Sequence, residues 1–478
     1  MKRCSGVLLP IFSLAGSYGA GTLHDAVSFL YMLGEAGQSV WQLLPLGPVK
    51  SSLSPYQSSS AFAGNPLFIS PEYLFERELL TTDELKDARL PLTDKIDYSS
   101  VISRRIELLN IAFLRNKTLG SVKYELSQRN LSYCFFAALR SHFGLPLTEW
   151  EDGIKHKEPR ALAFYREKLA SAIRLREFMQ ACFFDEWSIF KRKADALNIM
   201  LLGDVPMYTG ADSADVWECP QNFLLNDSLA PKVTAGVPPD CFSPYGQNWK
   251  NPVYNYPLMK KNGFSWWRER IVHEFSLYSA LRVDHFRGFY EYYAIPAGAD
   301  ASSGSWYKGA GRDLVDAVRY SAKGAVIAED LGGENEQGVK ELLEYSGFLG
   351  MRVLQFAFGS DENNRNLPHM CPENCAAYTG THDNDTLKGW FEKAPSGEKE
   401  FAKNYLGITD KNTEDAFIDA LMASRAVLAV VPVQDWLGLG SEARMNIPGT
   451  EGGNWLWRMT SSLPSQRMMN ITQMNGRS

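Results

Sequence analysis

Short apolar runs recur along the chain, and four of them end in a carboxylate: Ile199–Asp204, Ala280–Asp284, Ala325–Glu329 and Ala377–Asp383. A continuous apolar run of this length is typical of a parallel strand that is buried on both faces. Carboxylates at the carboxyl ends of several parallel strands are how a (β/α)8 barrel builds a functional site. Because clustered acids cost repulsion and desolvation, the pattern predicts chemistry at this edge of a sheet.

The chain contains eight strand-like runs, which is the number that a closed barrel needs. Helical patterns at βαβ spacing separate them, for example Thr22–Glu35, Asp313–Tyr320 and Gln337–Tyr345. We therefore predict one α/β domain over residues 1–478, a (β/α)8 TIM barrel with helical and loop insertions around its C-terminal mouth. The predicted strands are Gly6–Phe12, Val40–Leu44, Ile199–Asp204, Ser279–Asp284, Gly324–Glu329, Arg352–Phe358, Ala376–Thr379 and Val427–Val433.

Two segments are too long for simple connections between strand and helix. Residues 66–190 hold the helical patterns Ser100–Arg115, Ser132–Phe143 and Pro159–Lys193, which predict a helical insertion after the second strand. Residues 205–262 are rich in Pro, Gly, Asn, Trp and Tyr and show no clear period. That composition predicts a loop subdomain after the third strand, over the barrel mouth.

Composition excludes several classes of partner. The 478 residues carry a net charge of −6 and give a pI near 5.8, without a long run of Lys or Arg. Nucleic acid and anionic membranes are therefore not expected as partners. No run approaches the roughly 18 apolar residues of a membrane span. The N-terminal run Gly6–Phe12 is short and contains Pro10, which favours a strand over a signal peptide.

Cysteine usage indicates a reducing compartment. The chain has seven dispersed cysteines, and an odd, scattered set is typical of reduced thiols in a cytoplasmic protein. Cys371 and Cys375 lie near His369, but no second pair of ligands at zinc-site spacing completes a set. We therefore expect a cytoplasmic protein with neither a metal site nor another cofactor.

Arg282 lies two residues before Asp284, so both side chains point to the same side of the predicted strand. The guanidinium can then hydrogen-bond the carboxylate and hold it ionised at neutral pH. An ionised, oriented aspartate is what a nucleophile requires. A purely structural Arg–Asp pair is the open alternative for these two residues.

Glu329 ends the next strand along the chain. A partly desolvated glutamate near other acids has a raised pKa and can act first as a general acid and then as a base. A helix N-terminal acid is the open alternative. Retaining glycosidases hold two carboxyls about 5–5.5 Å apart, and neighbouring strands lie about 4.7–4.9 Å apart. Asp284 and Glu329 at adjacent strand ends therefore permit a retaining mechanism.

His382 and Asp383 follow a strand that ends in small residues. This arrangement suits polar contacts with the hydroxyls of a sugar. Two alternatives stay open: a turn with an Asp cap, and a metal site formed by His382, Asp383 and Asp385. Arg282 beside Asp284 counts against a cation at this place.

Loops near the predicted mouth combine aromatic rings with hydroxyl and amide groups. Sugars expose C–H faces that pack on rings, and their hydroxyls need polar partners. Tyr56, Gln57 and Ser58–Ser60 offer both after the second strand, and Gly236–Asp240 and Gly246–Trp249 offer both on the long loop. A single tyrosine or tryptophan here more often serves packing than binding, but the concentration of such residues in loops near the predicted mouth favours a sugar site.

A series of motifs extends over nearly the whole chain. The motifs are Trp41–Pro48, Ser54–Tyr56, Ala61–Pro66, Gly203–Pro206, Ala235–Asp240, Gly246–Pro252, Arg282–Gly288, Ala328–Gly332, Thr379–Asp385, Asn446–Thr450 and Asn454–Arg458. In these motifs and in their order, the chain resembles a known family, the amylomaltases, which are the 4-α-glucanotransferases of the α-amylase superfamily.

The resemblance implies roles for nine residues. Asp284 would be the nucleophile that forms a β-glucosyl-enzyme intermediate, and Glu329 would be the acid/base. Asp383, with His382, would hold the 2- and 3-hydroxyls of the distorted sugar, and Arg282 would orient Asp284. The residues that would contact or shape the donor and acceptor sites are Asp204, Tyr56, Trp249 and Gln247.

The implied reaction transfers a segment of an α-1,4-glucan to the 4-hydroxyl of glucose or another α-1,4-glucan. Maltodextrins and maltooligosaccharides would be substrates, glucose an acceptor, and no cofactor would take part. Three other classes stay open: an α-amylase-like retaining hydrolase, a non-catalytic glycan-binding barrel and a metal-dependent barrel hydrolase.

The chain departs from the family pattern at three places. Gly359 follows Phe358 where the family usually carries Asp, although Asp361 could take its place. Arg365 stands where Pro is usual after Asn, and Lys250 replaces a usual Gly. These departures bear on the preferred acceptor and leave the type of reaction unchanged.

Overall fold

The computed structural model describes residues 1–49, 52–239, 243, 245–332, 336–409 and 413–477. All eight predicted strands occur in it, as one sheet of parallel strands in the order β10-β11-β12-β1-β2-β3-β6-β9. The strands are β1 (Cys4–Leu8), β2 (Val40–Gln42), β3 (Met200–Val205), β4 (Val233–Val237), β5 (Gln247–Pro252), β6 (Ala280–Val283), β7 (Glu291–Pro296), β8 (Ser305–Lys308), β9 (Val326–Ala328), β10 (Gly350–Val353), β11 (Cys375–Tyr378) and β12 (Leu428–Pro432).

The sheet closes on itself, which confirms the predicted TIM barrel. β9 meets β10 through a parallel bridge between Ile327 and Leu349. Alternate residues of the strands form two apolar layers, one of which includes Leu8, Val40 and Leu202. The other belongs to the large cluster that also contains helix residues. The strands are mainly apolar because both of their faces are buried.

The largest differences from the predicted strand ends are at β1, predicted to end at Phe12, and at β10, predicted to end at Phe358. β1 ends at Leu8 because Pro10, which has no N–H for a ladder, introduces the 3-10 turn Ile11–Ser13. β10 ends at Val353, and the apolar residues that follow it form the 3-10 turn Leu354–Phe356.

Helices surround the barrel and fill the long segment after β2. The predicted helix Pro159–Lys193 is two helices, which meet at Leu169. The helices of the described residues are α1 (Leu23–Glu35), α2 (Pro71–Glu76), α3 (Thr82–Asp87), α4 (Tyr98–Leu119), α5 (Gln128–Phe143), α6 (Asp152–Lys155), α7 (Pro159–Lys168), α8 (Ala170–Ala196), α9 (Ala214–Glu218), α10 (Tyr256–Lys261), α11 (Ser265–Leu277), α12 (Arg287–Tyr290), α13 (Arg312–Ser321), α14 (Glu336–Ser346), α15 (Leu387–Lys393), α16 (Ser396–Leu406), α17 (Thr413–Ala423), α18 (Val433–Trp436) and α19 (Ser465–Met474). Within these helices, none is long and apolar enough to cross a membrane.

A second sheet has two of its strands, β4 and β5, in the segment 205–262, for which the sequence predicted only loops. It is antiparallel, has the order β5-β4-β7-β8, and joins strands from before and after β6. β4 contains Gly236, and β5 consists mainly of polar residues, so neither resembles a buried strand. This sheet holds Trp249, on β5, in place beside the barrel mouth.

Candidate active site

Arg282 joins two carboxylates at the mouth of the barrel. Its Nη1 lies 2.8 Å from both carboxylate oxygens of Asp204 and 3.0 Å from Oδ1 of Asp284. The side chains of Arg282 and Asp204 are 3% and 0% exposed, whereas that of Asp284 is 25% exposed. Asp204 is therefore the buried partner that fixes the guanidinium, and Asp284 presents its carboxylate to the opening.

A strained backbone position connects Asp284 with Glu329. His285, the next residue, has a φ of 47°, in the left-handed region that few residues with a side chain adopt. This conformation aims its backbone N–H at Oε2 of Glu329, at 2.7 Å. The Glu329 carbonyl also accepts the N–H of Phe286, at 3.0 Å. The two carboxyl groups thus belong to one rigid turn at adjacent strand ends.

Burial raises the pKa of both acids. It raises the pKa of Glu329 to about 8, against the attraction of Arg282 and with the help of the Asp284 charge. It raises the pKa of Asp284 to about 7, although Arg282 acts in the opposite direction. The sequence predicted that Arg282 holds Asp284 ionised at neutral pH; Arg282 does lower the pKa of Asp284, but burial and the charges of Asp204 and Asp383 raise it by more. Arg282 donates a hydrogen bond directly to Asp284, which favours the ionised form of that carboxyl group over the ionised form of Glu329.

Asp383 is held by two residues of one loop, Arg444 and Asn446. Asn446 Nδ2 donates to its Oδ1 at 2.6 Å, and Arg444 Nη2 donates to its backbone carbonyl at 2.8 Å. Nε2 of the buried His382 lies 3.4 Å from the other carboxylate oxygen. Burial lowers the pKa of His382, so its imidazole is neutral. With 39% of its side chain exposed, Asp383 can still accept hydrogen bonds from a ligand.

Tyr56 connects the two sides of the site. Its hydroxyl donates to Oδ2 of Asp204 at 2.9 Å, and its ring stacks on His382 with centroids 5.2 Å apart. Burial, with the charge of Asp204, raises the pKa of Tyr56 well above its ordinary value, so the hydroxyl remains a donor. Trp455, at 5.9 Å from His382, extends this group of rings.

The loop that follows β2 is hydrogen-bonded to β5 of the second sheet. Gln57 Nε2 donates to the Trp249 carbonyl at 2.7 Å and to Asn251 Oδ1 at 2.9 Å. The Trp249 indole donates to Gln247 Oε1 at 3.1 Å, and its ring meets the His285 ring edge to face at 4.9 Å. These contacts bring aromatic and amide groups to the rim beside Glu329.

The structure places the nine predicted site residues in one connected network. Sequence reasoning did not assign Asn446, Arg444 and the His285 N–H, because partners from distant loops and backbone groups leave no local pattern. The motif Asn446–Thr450 was the one signal that could have found the asparagine. Asp240, in the predicted sugar-binding segment Gly236–Asp240, lies outside the described residues.

The three positions at which the chain departs from the family pattern, Gly359, Lys250 and Arg365, have different surroundings. Gly359 is exposed, and Asp361 turns its carboxylate to the N–H of Asn363 at 2.9 Å. Lys250 has a φ of 60°, as a glycine position would, and forms an exposed ion pair with Glu451 at 3.0 Å. Arg365 donates to the backbone carbonyl of Asp330 at 3.0 Å, directly after Glu329.

The residues of the alternative metal site do not converge. Asp385 turns away from His382, because its Oδ2 accepts from Lys393 Nζ and Ser441 Oγ, each at 2.8 Å. Near the paired cysteines, His369 Nδ1 contacts the Tyr405 hydroxyl at 2.7 Å. Across the described ranges, no three such side chains are placed to hold a metal ion.

Loss of the Arg282 charge is expected to destabilise the fold. Arg282→Gln leaves Asp204 buried without its ionic partner, which costs about 3–5 kcal/mol. Urea unfolding at pH 7 measures the difference. Arg425→Gln is the matched control, because the Arg425–Glu373 pair is 69% and 78% exposed and is worth about 0–1 kcal/mol. Equal changes in the two variants would contradict a structural role for the buried pair.

Comparisons with known proteins show which family the chain is similar to. The sequence model of a family described as 4-alpha-glucanotransferase matches residues 9–464. The 4-alpha-glucanotransferase of Thermus thermophilus is 41% identical over 96% of this chain and 95% of its own length. That of Clostridium butyricum is 38% identical over 98% and 99%. The structure of an amylomaltase from Streptococcus agalactiae in complex with acarbose superposes with a TM-score of 0.94, at 35% identity, over 100% of both chains.

Proposed function

The chain belongs to the 4-alpha-glucanotransferase family, and we propose that Asp284, Glu329 and Asp383 carry out its reaction. The activity is the transfer of a segment of an α-1,4-glucan to the 4-hydroxyl of glucose or of another α-1,4-glucan. The reaction needs a nucleophile, a proton donor and a group that stabilises the sugar at the transition state. The observation that carries the assignment is the turn that holds Asp284 and Glu329 together.

In the first step, Asp284 attacks the anomeric carbon of the donor and Glu329 protonates the oxygen of the departing chain. The glycosidic bond breaks as the ester to Asp284 forms, and the configuration inverts. The hydrogen bond from Arg282 orients the attacking carboxylate. The raised pKa of Glu329 keeps its proton available at neutral pH.

In the second step, Glu329 accepts the proton of the incoming 4-hydroxyl, and that oxygen displaces Asp284. The configuration inverts again, so the new bond has the α configuration of the old one. Asp383 accepts hydrogen bonds from the sugar's 2- and 3-hydroxyls and stabilises the positive charge that develops on the ring. Asn446 and Arg444 hold it in place for this contact.

Tyr56, Asp204, Trp249, Gln247 and His382 are proposed to shape the substrate sites. Tyr56 and His382 supply a stacked wall next to Asp383, and Trp249 supplies a ring beside Glu329. An acceptor sugar that packs on this rim excludes water from the ester. Maltodextrins, maltooligosaccharides and acceptor glucose are the partners that fit. The dispersed cysteines support a cytoplasmic location.

Incubation with maltotriose tests the proposed transfer. The expected products are glucose and a ladder of longer maltodextrins, resolved by chromatography. Glucose and maltose alone would instead favour an α-amylase-like hydrolase. The same assay with added labelled glucose shows whether the label enters the ladder, which a hydrolase cannot achieve by simple cleavage.

The rate of transfer is expected to follow a bell-shaped dependence on pH. The competent form has Asp284 ionised and Glu329 protonated. Activity therefore falls as the pH drops through the Asp284 pKa of about 7 and as it rises through the Glu329 pKa of about 8. The measurement is kcat/KM for maltotriose between pH 5 and 10. An alkaline limb that persists unchanged in Glu329→Gln would remove Glu329 from that role.

A further inference from the structure

The barrel wall has its weakest pairing between β9 and β10. Every other pair of neighbouring barrel strands is registered over three to five residues. β9 and β10 share the single bridge at Ile327, with backbone hydrogen bonds from Ala328 and Leu349 at 2.8 and 2.9 Å. The next donor of a parallel ladder is the N–H of Met351. It donates to the carboxylate of Asp330 at 2.7 Å instead of to a strand carbonyl.

At the seam between β9 and β10, the Asp330 carboxylate thus takes the place of the strand carbonyl that would accept the Met351 N–H in a regular ladder. Its side chain is 5% exposed, and its second oxygen lies 3.5 Å from Arg352 Nη1 and 3.6 Å from Arg365 Nη2. Arg365 also donates to the backbone carbonyl of Asp330 at 3.0 Å. One aspartate therefore ties the end of β9 to β10 and to the segment that follows β10.

The neighbour of Asp330 in the chain is Glu329. On the β6 side, Glu329 is fixed by its N–H to the Val283 carbonyl, at 3.0 Å, and by the donors of His285 and Phe286. On the β10 side, the contacts described above pass through Asp330. Without them, the backbone directly after Glu329 loses its contacts with β10 and with Arg365, and we expect a small displacement of the Glu329 carboxyl group.

We propose that Asp330 is a positioning residue for Glu329, because it replaces the missing ladder bond at the barrel seam and holds the proton donor in line with the departing oxygen. The proposal rests on the acid/base role proposed above for Glu329. The charged groups around Glu329 are Arg282 and Asp284 from the β6 side and Asp330 from β9. Arg352 and Arg365 lie behind Asp330 and balance its charge.

Two sugar donors with different leaving groups distinguish a positioning role of Asp330 from a general role in the stability of the fold. Maltotriose needs a proton on its departing oxygen, whereas fluoride leaves α-maltosyl fluoride with little assistance. For each donor, kcat/KM reports only the steps up to the ester on Asp284. Asp330→Ala is expected to lose about 10- to 100-fold with maltotriose, as for a misplaced catalytic group, and less than about threefold with the fluoride.

Two control variants give each outcome a meaning. Asp87→Asn, an exposed position on α3, is expected to match the parent enzyme with both donors. Glu329→Gln is expected to show the same selective loss as Asp330→Ala, only larger. If Glu329→Gln shows no selectivity, the acid/base assignment fails. If Glu329→Gln is selective but Asp330→Ala loses both activities equally, or neither, only the positioning role is overturned.

A second variant covers the case in which Asp330→Ala does not fold. Asp330→Asn keeps an oxygen for the Met351 N–H but removes a negative charge near Glu329 and leaves Arg352 and Arg365 unbalanced. Each change favours the ionised form of Glu329. The alkaline limb of the maltotriose profile is therefore expected to move to lower pH, with the acid limb less affected. Equal losses of kcat/KM with maltotriose and with α-maltosyl fluoride in this variant would overturn the positioning role.

Discussion

Asp284→Ala is expected to lower kcat/KM for maltotriose by at least about 10⁴-fold, which is the scale seen when a nucleophile that acts with its partners is removed. Without the carboxylate, no ester forms, and water or an acceptor must attack the sugar directly. Arg282 retains Asp204 as a partner, so the variant is expected to fold and to bind maltodextrins. Loss of the carboxylate also removes a charge that raises the pKa of Glu329.

A small external nucleophile distinguishes this loss from misfolding. Azide can enter the space of the Asp284 carboxylate and attack the anomeric carbon of α-maltosyl fluoride from the same face. A carbon–nitrogen bond forms as fluoride leaves, and the product is β-maltosyl azide. Asp300→Ala, at an exposed position outside the barrel, is expected to behave like the parent enzyme. Parent-like transfer by Asp284→Ala would contradict its role as the nucleophile.

Glu329→Gln is expected to be the second most damaging change, with a loss of about 10²–10⁴-fold for maltotriose, which is the usual contribution of general acid–base catalysis. The amide retains an oxygen for the His285 N–H but cannot deliver a proton. With α-maltosyl fluoride as donor, the first step needs little proton transfer and is expected to survive. The second step is then slow, because nothing accepts the proton of the incoming hydroxyl.

The matched control is Glu344→Gln, at an exposed position on α14. It is expected to retain the activity of the parent enzyme with both donors. If Glu329→Gln also transferred maltosyl units from maltotriose at the parent rate, another group would have to supply the proton.

The barrel was predictable from the sequence because its strands are buried on both faces. Such strands are continuous apolar runs, and eight of them at βαβ spacing leave few alternatives. The second sheet was not predictable, because β4 and β5 are rich in polar residues and glycine, and their partner β7 lies beyond β6. The break at Leu169 also left no signal, since the helical periodicity continues through it.

The acids of the site were predictable because they stand where parallel strands end. Asp284 and Glu329 were assigned from this position, and the resemblance to a family supplied the role of Asp383. What joins them was not predictable: the left-handed turn at His285, the side chain of Asn446 and the carboxylate of Asp330 act across long separations in sequence. The raised pKa of Asp284 likewise depends on burial by several elements, which no local motif records.

The most direct test of the proposed double displacement is to trap the sugar on the enzyme. Glu329→Gln is mixed with α-maltosyl fluoride, quenched in acid and measured by intact-protein and peptide mass spectrometry. The expected result is a mass increase of one maltosyl unit on the peptide that carries Asp284, and its absence when Asp284→Ala is combined with the same change. A maltosyl unit attached to any other residue, or turnover by a competent enzyme that yields products of inverted configuration, would contradict the covalent intermediate on Asp284.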